Sequence, residues 1–167
     1  VKYARENKIP FFGICLGMQC AVIEFARNIG GMKNANSTEF ARKLKYPVID
    51  LMSDQKKIKR KGGTMRLGAF DCEIEKGTNM YNAYGTTTIS ERHRHRFEVN
   101  NDYIGTLEDC GLILSGRNKE LNLVEAIELQ DHPWFVGVQY HPELKSRLTN
   151  AHPLFRDFVK AALNYQK

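Results

Sequence analysis

Two stretches of this sequence carry residue types able to make and break an acyl bond. The first is Gly13-Ile14-Cys15-Leu16-Gly17, which follows the apolar run Ile9-Pro10-Phe11-Phe12 and precedes a helical pattern. A Gly-x-nucleophile-x-Gly pentapeptide between strand and helix has the form of a nucleophile elbow. The turn is so sharp that the nucleophile takes a strained backbone conformation, and side chains two positions away on either side would clash. Glycine at 13 and 17 removes that clash. A cysteine there also lies at the positive end of the following helix, which favours thiolate over thiol. The plain alternative is a small thiol buried at the end of a core strand, and the pentapeptide alone does not separate the two.

A cysteine nucleophile needs a base that takes its proton and later protonates the leaving group, and the base needs an acceptor that holds its orientation. His141 and Glu143 offer both groups: they follow the apolar segment Trp134–Tyr140, are separated by Pro142, and begin 126 positions after Cys15 (141 minus 15). Strands of a parallel sheet end along one edge, so the loops after two such strands can bring a nucleophile and its base together. The other histidines fit the role less well. His93 and His95 stand between arginines, whose charge disfavours a base. His132 precedes Pro133 in an expected turn, and His152, before Pro153, is expected in solvent at the start of the last helix. The four cysteines, at 15, 20, 72 and 110, form neither a Cys-x-x-Cys pair nor a dense disulfide framework, which suits a reducing, cytoplasmic setting.

Periodicity predicts the elements that position these groups. From Gly17 to Ile29, Met18, Ala21, Val22, Phe25, Ala26 and Ile29 recur at spacings of three and four, a helix stopped by Gly30-Gly31. The polar stretch Asn34–Phe40 reads as a loop, with Glu39 an isolated, solvated carboxylate. Pro47–Met52 reads as a strand, and the run Lys56–Lys61 before Gly62-Gly63 as a solvated loop or, alternatively, a phosphate-binding site. Thr64–Phe70 and Cys72–Ile74 are expected as two strands joined tightly at Asp71. If Arg92–Asn100 is extended, Arg92, Arg94 and Arg96 share one face and His93 and His95 the other. That stretch is then either an edge strand blunted by charge or a carboxylate clamp. Asn101–Cys110 is expected as a short helix, and Leu112–Ser115, Leu123–Leu129 and Trp134–Tyr140 as strands. Pro153–Tyr165 is expected as an amphipathic helix with Leu154, Phe155, Phe158, Val159, Ala162 and Leu163 on its apolar side.

A chain of 167 residues fits one domain, residues 1–167, able to bury roughly 70% of the surface its unfolded form exposes. Its 42% hydrophobic and 26% charged residues exclude a disordered composition. The longest uncharged run, Ile9–Ile23, is shorter than a membrane span and is broken by Pro10, Gly13 and Gly17. The start of the chain does not read as a signal peptide, and it enters its first strand without the elements that would complete an α/β layer, so the chain reads as a fragment. A formal charge of +6 permits an acidic partner such as a nucleotide.

Gly13–Gln19 (G-I-C-L-G-M-Q) and Gly137–Glu143 (G-V-Q-Y-H-P-E) resemble the two signatures of class I, triad-type glutamine amidotransferases. Asn34–Phe40 (N-A-N-S-T-E-F), Gly63–Gly68 (G-T-M-R-L-G) and Glu91–Asn100 (E-R-H-R-H-R-F-E-V-N) resemble the glutaminase domain of the CTP synthase branch. The resemblance covers nearly the whole chain. It implies a flavodoxin-like α/β fold, with a mostly parallel central sheet flanked by helices and the N-terminal strands missing from this chain.

Carried onto these positions, the resemblance implies that Cys15 attacks the side-chain amide of L-glutamine, His141 acts as base and then acid, and Glu143 orients His141. Leu16, Gly17, Met18 and Gln19 would line the glutamine pocket, the Leu16 amide serving one arm of an oxyanion hole. Glu39 and Arg96 would grip the two ends of the substrate, which reinterprets the solvated carboxylate and the arginine strand. Arg66, in a stretch the family associates with response to GTP, its allosteric effector, would be an effector or lid contact. No cofactor or metal is implied for this domain. ATP and Mg2+ belong to a covalently linked synthetase domain, and no Gly-x-x-x-x-Gly-Lys-Ser/Thr loop occurs here. A homotetramer is implied at full length, with neither nucleic acid nor membrane as partner. A stand-alone γ-glutamyl hydrolase and an inactive nucleotide-binding module are the alternatives.

Overall fold

The computed structural model describes residues 1–51 and 65–165; the basic run Lys56–Lys61, with the expected strand ends at Met52 and Thr64, lies outside them. Helix α1 (Lys2–Glu6) leads to strand β1 (Phe11–Ile14), which turns into helix α2 (Leu16–Asn28). Met18, Ala21, Val22, Phe25 and Ala26 are all at most 3% exposed, so the helical spacing read from the sequence is a buried face up to Ala26, whereas Ile29, at the C-terminal cap, is 42% exposed. Arg5 ties α1 to α2 through Nε and Nη2 donating to the Glu24 carboxylate at 2.9 and 2.8 Å. The helix is left through Gly31 at φ +66°, a left-handed conformation without strain only for glycine.

The rest of the chain alternates short strands and helices. These are β2 (Asn36–Ser37), β3 (Pro47–Leu51), β4 (Arg66–Ile74), helix α3 (Asn79–Tyr84), β5 (Thr88–His95) and β6 (Phe97–Val99). A 3-10 turn (Asn101–Tyr103), helix α4 (Ile104–Asp109), β7 (Ile113–Asn118), β8 (Leu123–Glu128) and β9 (Phe135–Val138) follow. A second 3-10 turn (Pro142–Leu144) and helix α5 (Pro153–Tyr165) close the described chain.

Among the described residues the strands form a six-stranded sheet, β1-β9-β8-β7-β4-β5, and a three-stranded sheet, β2-β3-β6. The expectation of a mostly parallel sheet needs correction in this part of the fold: β1·β9 is parallel, whereas β8·β9, β7·β8, β4·β7 and β4·β5 are antiparallel. The cause is connection length. Four residues join β7 to β8 and six join β8 to β9, too few for the crossover a parallel pair requires. Asp71, expected as a turn, sits instead within β4 opposite Ser90, because continuous pairing from Arg66 to Glu73 along β5 overrides its weak strand preference.

Helices cover both faces of β9. Phe135 packs with Met18, Val22 and Ile127 under α2, while Val136 and Val138 pack with Met80, Ala83 and Leu154 of α3 and α5. A strand buried on both faces loses the apolar–polar alternation of a half-buried one, hence the unbroken run in the sequence. Gly137 lets α2 approach: a Cβ there would lie 2.9 Å from Ile127 and 3.1 Å from Met18. Helix α5 forms where expected, but Val159 and Leu163 are exposed (53% and 60%), and Ala161 stands on the packed side with Leu154 and Phe158.

The large sheet cannot be flat. His93 on β5 and Glu125 on β8 are three strand spacings apart, about 14 Å in a planar sheet. Their side chains nonetheless meet at 2.6 Å, and the backbone N–H of His141, just beyond β9, donates to the Arg92 carbonyl of β5 at 2.8 Å. The sheet therefore curls until its far edge returns to the end of β9.

Candidate active site

The elbow reading of Cys15 has a geometric counterpart. Cys15 caps α2 with φ +50° and ψ −103°, a strained conformation for a residue with a Cβ. Its backbone N–H donates to the Val138 carbonyl at 2.7 Å, stitching the elbow to β9. A Cβ on Gly13 would fall 2.7 Å from the Gly17 carbonyl carbon and 2.9 Å from the Met18 nitrogen, so Gly13 is required by the turn. Gly17 is not, since a Cβ there would meet nothing within 4 Å. The expected clash thus holds on one side of the nucleophile and not on the other, because the chain beyond Cys15 coils away as helix.

Pairing of Gly13 with Gly137 and Ile14 with Val138 ends β1 and β9 on the same edge, so Cys15 and the His141–Glu143 segment leave adjacent parallel strands together. His141 Nδ1 lies 2.6 Å from Glu143 Oε1. An ionised carboxylate only accepts, so this bond places the proton on Nδ1 and leaves Nε2 as the free acceptor. Nε2 is buried and has no hydrogen-bond partner among the described residues. That is the arrangement a general base requires.

The thiol itself is held back. Burial pushes the Cys15 thiol up, and the carboxylates of Glu98 and Glu143 add to that, against the Leu16 backbone N–H and the Gln139 side chain, which favour thiolate. The N-terminal end of α2 acts in the expected direction, through Leu16, but burial outweighs it. The environment therefore favours the thiol over the thiolate.

The family model Glutamine amidotransferase class-I matches residues 1–161. The chain belongs to this family. CTP synthases from Chlorobium phaeobacteroides and Christiangramia forsetii are 60% and 61% identical to it over 167 and 162 residues, covering 100% and 97% of this chain and 30% of each relative. The chain thus spans about 30% of the length of the curated relatives it matches. A solved structure described as the Trypanosoma brucei CTPS glutaminase domain with bound acivicin superposes with a TM-score of 0.91 at 38% identity, over 98% of this chain and 63% of that one. A Thermoplasma acidophilum protein described as a putative GMP synthase component shares the fold at 18% identity (TM-score 0.61), over 99% of this chain and 63% of that one.

The remaining expected residues of this amidotransferase are placed as follows. Leu16 is exposed and Gly17 half-buried, whereas Met18 lies in the core, and Gln19 is buried with its amide spent on Phe97 and Gln139. Glu39 is exposed just after β2, and Arg96 occupies the bend before β6, half-buried, its Nε buried and without a hydrogen-bond partner among the described residues. The small sheet brings both to one end: β2 runs parallel to β3, β6 runs antiparallel to it, and Leu51 at the end of β3 faces Phe97. Arg66 points inward. Its guanidinium is buried against Glu125 (2.5 Å) and Glu98 (3.5 Å) and lies 4.3 Å above the Phe70 ring.

Three histidines occupy environments that their local sequence does not suggest. His93 and His95 turn away from their neighbouring arginines into the protein, where their Nε2 atoms meet Glu125 and Glu98 at 2.6 Å. His152, expected in solvent, is 5% exposed and bonded to Tyr84 Oη and Glu91 Oε1, each at 3.1 Å. His132 lies in the expected turn but is buried, receiving the Trp134 N–H. Gln139 is absent from the residues that sequence reasoning singles out, although an amide inside an unbroken buried strand is a signal.

A cavity of about 520 Å³ between α3 and α5, bordered by Trp134, Asp157 and Lys160, includes none of these groups and lies by the start of β9, away from the elbow. Among the described residues no three His, Cys, Asp or Glu side chains gather as a metal site, and no helix is long and apolar enough to cross a membrane.

Proposed function

We propose that this chain is the glutaminase portion of a CTP synthase. The observation that carries this reading is the strained Cys15 elbow on β1 and, at the end of the adjacent parallel strand, a Glu143-oriented His141 whose Nε2 has no hydrogen-bond partner among the described residues. Nε2 takes the thiol proton as Sγ attacks the carboxamide carbon of L-glutamine. The oxyanion that forms accepts the Leu16 N–H, a type of donor worth roughly two to three orders of magnitude in rate. The imidazolium then returns its proton to the leaving nitrogen as the C–N bond breaks, which releases ammonia and leaves a glutamyl thioester. Water, deprotonated by the same imidazole, cleaves the thioester to glutamate and restores the thiol. Leu16 and Gly17 form the pocket wall, Met18 and Gln19 being buried behind them, and Glu39 and Arg96 hold the substrate's ammonium and carboxylate.

In the full-length protein the ammonia passes to a linked synthetase domain that uses ATP and Mg2+ to aminate UTP. GTP is the effector; Arg66, expected as its contact, is instead buried against Glu125 and Glu98 and does not present its guanidinium to a ligand. The 30% coverage of CTP synthase relatives supports such a linked domain; a single amidotransferase domain over residues 1–167, a cytoplasmic location and a homotetramer complete the reading. Full-length protein carrying Cys15→Ala is expected to lose glutamine-dependent CTP formation and keep ammonia-dependent formation. Loss of both, or of neither, overturns the assignment.

A further inference from the structure

Gln139 is fully buried between β9 and His141, and its amide joins three elements. Its Nε2 lies 3.6 Å from Cys15 Sγ, and its Oε1 accepts from Gln19 Nε2 at 3.1 Å. The same Gln19 Nε2 donates to the Phe97 carbonyl at 2.8 Å. A carbonyl oxygen cannot donate, so Gln19 must turn its nitrogen toward Phe97. That nitrogen then faces Gln139, which must present its oxygen in return and its NH2 to the sulfur. One backbone carbonyl thus orients two side-chain amides in series.

We propose that Gln139 is a positioning residue for the nucleophile: it donates to Cys15 Sγ, fixes the sulfur on the His141 side of the elbow and stabilises the thiolate, in an orientation relayed from Phe97 through Gln19. The groups facing the sulfur make such a donor matter. Glu98 from β6 and Glu143 beyond β9 both oppose a negative sulfur, the Leu16 N–H of α2 supports it, and His141 receives its proton; β1 contributes no charged group. The relay also begins one residue after Arg96, so a carboxylate drawn to Arg96 bears on the bend that sets the amides. This inference rests on Cys15 being the nucleophile proposed above.

The test reads the thiol directly. In the full-length protein, alkylation of Cys15 by iodoacetamide is followed against pH, with the Cys15 peptide quantified by mass so that Cys20, Cys72 and Cys110 do not contribute. Gln139→Met, close in volume and without a donor, is expected to raise the midpoint by about one pH unit and slow alkylation about tenfold below it. It is expected to lower kcat for glutamine more than it raises KM. Gln19→Met, which leaves Gln139 in place but unoriented, is expected to move the midpoint the same way by less. An unchanged or lowered midpoint in Gln139→Met, with hydrogen-exchange protection of β9 intact, overturns the proposal. If that variant does not fold, an unchanged midpoint in Gln19→Met overturns it. A Cys15→Ala protein that still uses glutamine would sink the reaction and leave this thiol measurement standing, so the two failures are distinguishable.

Discussion

Replacing Gly13 by alanine tests the elbow at its tightest point. The added methyl carbon would stand 2.7 Å from the Gly17 carbonyl carbon, 2.8 Å from its oxygen and 2.9 Å from the Met18 nitrogen. All three are backbone atoms, so no rotamer change relieves them. With contact distances of 3.4 Å as the lower bound of ordinary packing, the start of α2 must retreat by about 0.7 Å (3.4 minus 2.7). That retreat moves Cys15 and the Leu16 N–H relative to β9, to which Cys15 is tied by its 2.7 Å bond to Val138. Overpacking of this kind costs about 1–3 kcal/mol, and a displacement approaching 1 Å at reacting atoms costs about 10²-fold in rate. Gly13→Ala in the full-length protein is therefore expected to lower glutamine-dependent turnover by about 10- to 100-fold. Ammonia-dependent turnover serves as the control that the partner domain is intact. Gly17→Ala, with open space around its Cβ and a helical position to fill, is expected to match or exceed the parent in thermal unfolding. Unchanged glutamine turnover in Gly13→Ala would refute the reasoning, as would equal destabilisation by the two substitutions.

Removing the orienting acceptor by Glu143→Gln is expected to slow glutamine-dependent turnover about 10²-fold, less than the loss in a fully buried triad because Glu143 is half in water; steady-state kinetics against ammonia-dependent turnover checks this. Acid should unfold the curled sheet. Burial works to raise the carboxyls of Glu125 and Glu91, but bonding and charge from His93 with Arg66, and from His152 with Lys145, outweigh it and hold both below the ordinary value of 4.5. The stability they contribute is present above pH 4.5 and lost as pH falls through their folded values, while Glu128, which burial raises, contributes with the opposite sign. Glu125→Gln is therefore expected to flatten the acid limb of a pH series of hydrogen-exchange protection, at a cost of about 1–3 kcal/mol near neutral pH, since Arg66 keeps its pair with Glu98.

Local chemistry is legible in this sequence and long-range pairing is not. The elbow, the His141-Pro142-Glu143 segment and the arginine–histidine alternation each rest on geometry within a few residues, and each is found where the residues put it. The differences share another cause. His152 stands before Pro153 at the start of the last helix, as a solvated residue would, but the groups that bury it, Tyr84 and Glu91, are 68 and 61 positions away. His93 and His95 stand beside arginines in sequence, whereas a strand turns alternate side chains to opposite faces, and their actual neighbours come from β8 and β6. Asp71 has the preference of a turn residue, and the eight-residue pairing that overrides it is invisible locally. Gly17 mirrors Gly13 in the symmetry of the pentapeptide, which the helix after Cys15 breaks.

Those same long-range pairs explain how a sheet edge comes to hold the proposed base. Strand β5 presents Arg92 and Arg94 to solvent, which blunts its outer face, while His93 and His95 fasten its inner face to Glu125 and Glu98, with Arg66 bridging the two carboxylates. Fastened there, β5 offers the Arg92 carbonyl to the His141 N–H and the Ser90 carbonyl to Lys145 Nζ at 2.7 Å, so the turn that carries His141 and Glu143 is moored at both ends. The buried ion cluster touches no reacting atom. Its leverage on the chemistry comes through the backbone of β5, and through Glu98, whose pairing with His95 and Arg66 tempers a negative charge that would otherwise bear fully on the Cys15 thiol. Loosening the cluster should therefore misplace the proposed base and raise the barrier to thiolate formation together, two losses that a mutation at either Cys15 or His141 would separate.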